Sequence, residues 1–160
     1  MSENVNRSKL MTFMDTTPTD TATWALVGDG VVTGKINYNP KTTEETYIHE
    51  TNATTTIDSY APELPVEQTA KVGDEVYDYI DSLRIDRATL TDAETNIVNV
   101  WAYMAATAGA YPAEKQKVAI AVEDFGGDGG AKVKINYSIK FLGDPIKGTF
   151  NPLTKVFTAA

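Results

Sequence analysis

The sequence predicts a mainly β fold: an antiparallel sheet of sandwich or barrel-like form, with one flanking α-helix and a long loop or arm. Three observations carry this. Residues 117–122 and 132–141 alternate apolar and polar side chains with period two, the repeat of strands buried on one face. Gly126-Gly127-Asp128-Gly129-Gly130 joins them, and glycines accept the backbone angles of a hairpin turn. Only residues 73–84 space their apolar side chains as a helix does.

In chain order, residues 1–23 read as a flexible N-terminal arm with room for one short strand: a polar start, a short apolar patch (Leu10, Met11, Phe13, Met14) and a breaker-rich stretch around Pro18. Residues 24–27 and 31–38, separated by Gly28-Asp29-Gly30, read as a hairpin. Residues 39–56 are polar, Thr-rich and acidic, and a segment of that length inside one domain points to an extended functional loop. Pro62 and Pro65 flank the alternating Leu64, Val66 and Gln68, which puts this extended stretch at a sheet edge.

The helix follows. Val76, Tyr79, Ile80 and Leu83 form the stripe expected to pack on the sheet, with Asp74 and Glu75 at the N-terminal end of the dipole and Arg84 and Arg87 towards the other. Residues 97–104 suit a strand covered on both faces, because Val98, Val100, Ala102 and Met104 oppose Ile97, Trp101 and Tyr103. Small residues through Gly109 make a loop, and a last strand is expected near residues 155–158. With 160 residues and no internal repeat or linker, the chain is one domain, residues 1–160.

Composition narrows the function classes. The net charge of -8 disfavours binding to polyanions and anionic membranes. There is no cysteine, hence no disulfide, thiolate nucleophile or thiolate metal site. No run approaches the ~20 apolar residues of a membrane span, and the first residues lack a signal-peptide core.

The candidates for chemistry are sparse. His49 is the sole histidine, sits among polar loop residues, and has no nucleophile at a recognisable spacing. Asp124-Phe125-Gly126 matches three letters of a kinase motif without the rest of it. Asp124 and Asp128 lack the alternating acids of a calcium loop. Asp74, Glu75, Asp78 and Asp81 fit a solvated helix face better than a pair of catalytic carboxylates. Lys132, Lys134 and Lys140 make a one-faced row that either touches phosphate or guards a sheet edge. The expectation is a non-enzymatic chain with no cofactor and no metal.

Several stretches taken together resemble one family. They are Ile36-Asn37-Tyr38-Asn39-Pro40 with Thr42-Thr43-Glu44-Glu45-Thr46-Tyr47, the run from Ser59 to Gln68 with Tyr60, Pro62 and Gln68 in fixed spacing, the helix from Asp74 to Arg84, and Phe141-Leu142-Gly143-Asp144-Pro145. In this order they are similar to the major tail tube protein of long-tailed bacteriophages of Gram-positive hosts. The resemblance implies a tail tube fold whose subunits form hexameric rings, stacked into a hollow conduit for DNA ejection in the virion tail after assembly in the host cytoplasm.

It further implies that residues 39–56 are an inter-subunit loop, with Tyr38, Thr42, Glu44, Glu45 and Tyr47 as contacts. The implied partners are copies of the chain itself, the tape-measure protein, the tail terminator, distal tail proteins, and DNA passing without sequence-specific contact; no membrane is involved. An acidic lumen would suit such passage. The competing expectation is a monomeric β-sandwich module that recognises sugar or protein through an aromatic platform of Trp101, Tyr103 and Tyr111.

Overall fold

A computed structural model describes residues 1–160. In chain order the elements are β1 (Leu10–Asp15), β2 (Trp24–Leu26), β3 (Pro40–Glu45), β4 (Thr54–Tyr60), β5 (Glu63–Thr69), α1 (Glu75–Asp86), β6 (Glu94–Trp101), β7 (Tyr111–Gly126), β8 (Lys134–Asn151) and β9 (Val156–Ala159). One antiparallel sheet runs β2-β1-β6-β7-β8-β5, with β9 also pairing β8, while β3 and β4 form a separate ribbon. The sheet curls into a half-barrel flanked by the one helix, the mainly β class that the period-two runs predict.

The β7–β8 hairpin is the spine of this sheet and is longer than the alternation indicated, 16 and 18 residues. Pro112, Gly143, Pro145 and Gly148 blur the pattern beyond residues 117–141, yet pairing continues from Tyr111↔Phe150 to Gly126↔Lys134. Two register shifts, between Lys115 and Lys117 and between Val122 and Asp124, absorb extra residues. Gln116 stabilises the first. It is buried, and its Nε2 donates to the carbonyls of Lys117 at 3.0 Å, Leu142 at 2.8 Å and Gly143 at 3.2 Å.

The helix is set by its cap. The Asp74 carboxylate accepts the Tyr77 amide at 2.9 Å, worth about 1 kcal/mol at such a position. At the other end Arg87 takes a left-handed φ of 46° and returns its amide to the Leu83 and Arg84 carbonyls. Val76, Tyr77, Ile80 and Leu83 are buried, packed with Leu64 and Val66 of β5, Ile97 of β6, Val118 and Ile120 of β7, and Ile135, Tyr137 and Ile139 of β8. Tyr77 takes the core position that the sequence reading gave to Tyr79, which is half-buried at the stripe's margin.

A polar pin fixes the helix to the sheet edge. Buried Gln68 donates to the Asp74 carboxylate and to the Asp29 carbonyl, both at 3.0 Å, and accepts the Tyr137 hydroxyl at 3.0 Å. All three contacts are satisfied inside the fold, as burial of an amide demands.

Curvature follows from a second, smaller cluster on the opposite face: Phe13, Trp24, Val98, Val100, Ala113 and Phe150. In a flat sheet β1 and β8, three steps apart, would lie about 14 Å from each other. The Phe13 and Phe150 ring centroids are 4.8 Å apart, and Trp24 meets Phe150 edge-on at 6.3 Å. The sheet therefore curls towards this face, with the small Val98, Val100 and Ala113 filling the bend between the rings.

Three expectations are corrected. Residues 10–15, expected at most as a short strand within a flexible arm over 1–23, form β1, an inner strand between β2 and β6 that buries Phe13 and Met14. Residues 24–27 and 31–38 do not pair with each other: β2 pairs β1, and the later segment runs beside β5 with bridges only at Val31↔Gln68 and Asn37↔Glu63. The strand expected over 97–104 spans Glu94–Trp101, and its continuation is a turn. Pro65, by contrast, sits on edge strand β5 as its missing N–H predicts.

Ile80→Ala should lower stability by about 2–5 kcal/mol in urea denaturation, because Ile80 is fully enclosed, whereas exposed Ile85→Ala should change it little. Gly148→Ala should detach β9. A Cβ there would collide with the Thr158 carbonyl oxygen, so the β9 amides should lose protection in hydrogen exchange while those of β7 keep it.

Candidate functional site

One face of the main sheet lies under α1. On the other, the parts of β6, β7, β8 and β5 beyond the Phe13–Phe150 curl are uncovered by any element, and strand register lays this open face out in rows. Glu94, Ala119, Lys140 and Glu63 form one row across the four strands. The next is Ala121, Ser138 and Pro65, and then Asp124, Asn136 and Glu67. Asn96, Lys117 and Leu142 flank the first row, and Gly126, Lys134 and Thr69 the last. Its middle is made of small side chains and its margins of charges.

Lys117, Lys134 and Lys140 each meet a carboxylate from a neighbouring strand, whereas Lys132, read from sequence into the same row, precedes β8 and forms no ion pair. Lys117 Nζ lies 3.3 Å from Glu94 and Lys134 Nζ 2.8 Å from Glu67, while Lys140 pairs Glu63 directly across β8 and β5. The hydrogen bond from Lys140 holds the Glu63 carboxyl below the usual glutamate range, with smaller help from Asn39 and Ser138 and against partial burial. Asp124 accepts the Asn136 amide at 2.7 Å. Exposed pairs of this kind contribute little to stability, so their effect is chiefly on what the face presents.

The second feature is the β3–β4 ribbon, the segment expected as a loop. All its strand residues are exposed. Thr42, Thr43, Thr54, Thr55 and Thr56 suit extended backbone without burial, which explains a ribbon where hydrophobic alternation is missing. Pro40, Tyr60, Thr42, Ile57, Glu44 and Thr55 share one side; Lys41, Ser59, Thr43, Thr56, Glu45 and Thr54 share the other. Thr43 donates to Asp58 at the ribbon's register shift.

At the base Asn39 takes a φ of 44° and its Nδ2 donates to the Ala61 carbonyl at 3.1 Å, closing the neck. Tyr38 meets Tyr60 edge-on at 6.5 Å. Burial, then the charges of Glu114 and Tyr103, pushes the Tyr38 hydroxyl up, and burial also raises the Glu114 carboxyl against the pull of Lys147. At the tip Tyr47 stacks on His49 at 6.3 Å, and Ile48 is wholly exposed.

The residues read from sequence as contacts are thus spread along the ribbon rather than gathered. Tyr38 is at the neck, Thr42 and Glu44 lie on the apolar side, Glu45 lies on the other, and Tyr47 is at the tip. Ile57 and Tyr60, which complete the apolar side, were not picked out; the signal is their place opposite Thr42 and Pro40, visible only once β3 and β4 are in register. The acids opposite the lysine row were missed for the same reason, although Glu63 and Glu67 alternate with Leu64 and Val66.

Other candidates separate. His49 lies 3.8 Å from Glu50 on the exposed tip. Among the possible platform aromatics, Tyr111 packs against the smaller core, and Tyr103 is exposed. No group of three or more His, Asp or Glu side chains is gathered as a metal would require, and no helix is long and apolar enough to cross a membrane.

No family model matches the sequence, and no curated protein matches it. Nine chains of solved structures match the fold. One is a chain from the tail of an empty GTA particle, computed with helical refinement in C6 symmetry, with a TM-score of 0.65 at 12% identity, covering 98% of this chain and 100% of that one. At that identity the likeness is one of fold, and it runs the full length of both chains.

Proposed function

We propose that the chain is a non-enzymatic structural subunit of a phage-like tail, a single tail tube domain that assembles with its own copies into stacked six-membered rings. The observation that carries this reading is the curled sheet with an uncovered polar face opposite the helix, in a fold shared end to end with a chain of a C6 tail assembly. Six such half-barrels around an axis would place the open face on a lumen and α1 outside it. Repeated heterologous contacts that match a rotation close into a ring, and sheet edges left free in one subunit become pairing surfaces for the next.

The ribbon supplies the reach. A two-stranded sheet is at best marginal in water by itself, and this one leaves Ile57, Tyr60 and Tyr38 about half exposed on its apolar side. A neighbouring subunit is the cover we assign to that side, with Tyr38, Thr42, Glu44, Glu45 and Tyr47 contributing from neck, both sides and tip. In this reading the tube is the conduit for DNA ejection, the subunit resides in the virion tail after assembly in the host cytoplasm, and tape-measure, terminator and distal tail proteins meet the ends or interior of the stack.

Purified protein at rising concentration should form six-fold rings and tubes in negative-stain electron microscopy. Replacing residues 41–59 by a short Gly-Ser turn between the closed neck residues should keep the far-UV spectrum of the main sheet and its cooperative melt, yet abolish tubes. A wild-type protein that stays monomeric in light scattering at every concentration, and shows glycan binding instead, would overturn the assignment.

A further inference from the structure

We propose that the open face is a charge-silenced wall, on which Lys117, Lys134 and Lys140 are each met by a cross-strand carboxylate that competes with phosphate, so that duplex DNA meets a surface that is close to neutral. This deepens the tube reading and rests on it for the claim that this face lines the lumen; the silencing itself is a property of the subunit.

The chain carries a net charge of -8, and the simplest expectation is an acidic lumen. The strand rows tell otherwise. The strand rows of the face hold four carboxylates, Glu63, Glu67, Glu94 and Asp124, against three lysines, Lys117, Lys134 and Lys140; at its ends stand Lys132 with Asp128 beside the glycine turn, and Lys115, 6.0 Å from the Trp24 ring. The excess acid lies elsewhere, on the ribbon at Glu44, Glu45, Glu50 and Asp58 and on α1 at Glu75, Asp78, Asp81 and Asp86. Beyond about 8 Å, at physiological salt, such distant charges are screened from a molecule at the wall.

Each lysine of the rows is met from a different strand than its own: Glu94 on β6 for Lys117 on β7, Glu67 and Glu63 on β5 for Lys134 and Lys140 on β8. Sheet register therefore fixes the pairing, not a flexible loop. A free lysine on such a wall, repeated in every subunit of every ring, would accumulate phosphate contacts and their released counterions. Between the charged margins stand Ala119, Ala121 and buried Ser138, which offer a passing phosphate no cation. A face built this way neither holds the duplex nor repels it.

The test uses the full-length protein and a fluorescent 30-base-pair duplex of arbitrary sequence, read by anisotropy at low and physiological salt. Wild type should not bind. E63Q/E67Q/E94Q should bind at least about tenfold more tightly than E44Q/E45Q/E50Q, which removes the same charge from the ribbon, and salt should reverse that gain. Adding K117Q/K134Q/K140Q should remove it. E67Q alone, at a pair exposed on both sides, should give a smaller gain and guards against misfolding of the triple variant, which circular dichroism checks. Equal binding by the ribbon variant, no gain by either face variant, or binding by wild type would overturn the proposal. Rings by microscopy with no gain in binding would sink the silencing alone; a gain without rings would sink the tube reading and keep the silencing.

Discussion

The period-two division of the β7–β8 hairpin is the constraint on which the rest of the molecule depends. Val118, Ile120, Ile135, Tyr137 and Ile139 point to one face and are buried there beneath Val76, Tyr77, Ile80 and Leu83, while Ala119, Ala121, Asn136, Ser138 and Lys140 point to the other. Because a slip of one residue would exchange the faces, the burial that stabilises the domain also determines which side chains the open face displays. The Gln68–Asp74–Tyr137 contacts tie the helix N-terminus to this register. Stability and surface are thus written by the same alternation.

Curvature adds direction to that division. The helix-side cluster and the smaller aromatic cluster lie on opposite faces and towards opposite ends of the sheet. The first covers one face with a helix; the second pulls β1 and β8 together across the other. Bulges at Lys115/Lys117 and Val122/Asp124 let the long hairpin follow the bend without losing its pairing. An open face results, running from β6 to the edge strand β5, and the projecting ribbon leaves from a neck beside the β5 edge.

What was legible in the sequence was local. The hairpin, its glycine turn, the capped helix, the proline-marked edge strand and the terminal strand all declare themselves within a window of about a dozen residues. Three things did not, and each depends on a partner distant in sequence. β1 looks like part of an arm because its apolar patch is short, and only pairing with β6, more than eighty residues away, makes it an inner strand. Residues 31–38 have strand-like composition, but β5 and β1 take the partners that a hairpin would have used. The ribbon lacks hydrophobic alternation because it has no core to face, so a polar strand pair reads as a loop.

The same locality separates the two ways in which a lysine row can be read. From sequence, Lys134 and Lys140 are equally suited to holding phosphate or to guarding an edge, since the deciding neighbours, Glu67 and Glu63, lie some seventy residues earlier. Register settles their geometry: both acids stand on the edge strand itself, on the lysines' own face. An isolated pair there would contribute little to folding, and its lysine would remain available when the carboxylate turned away. Three pairs anchored on adjacent strands, around a middle of alanine and serine, restrict that freedom over the whole face at once. The charge pattern of the open face therefore resides in relations between strands, and no single residue on it carries that pattern alone.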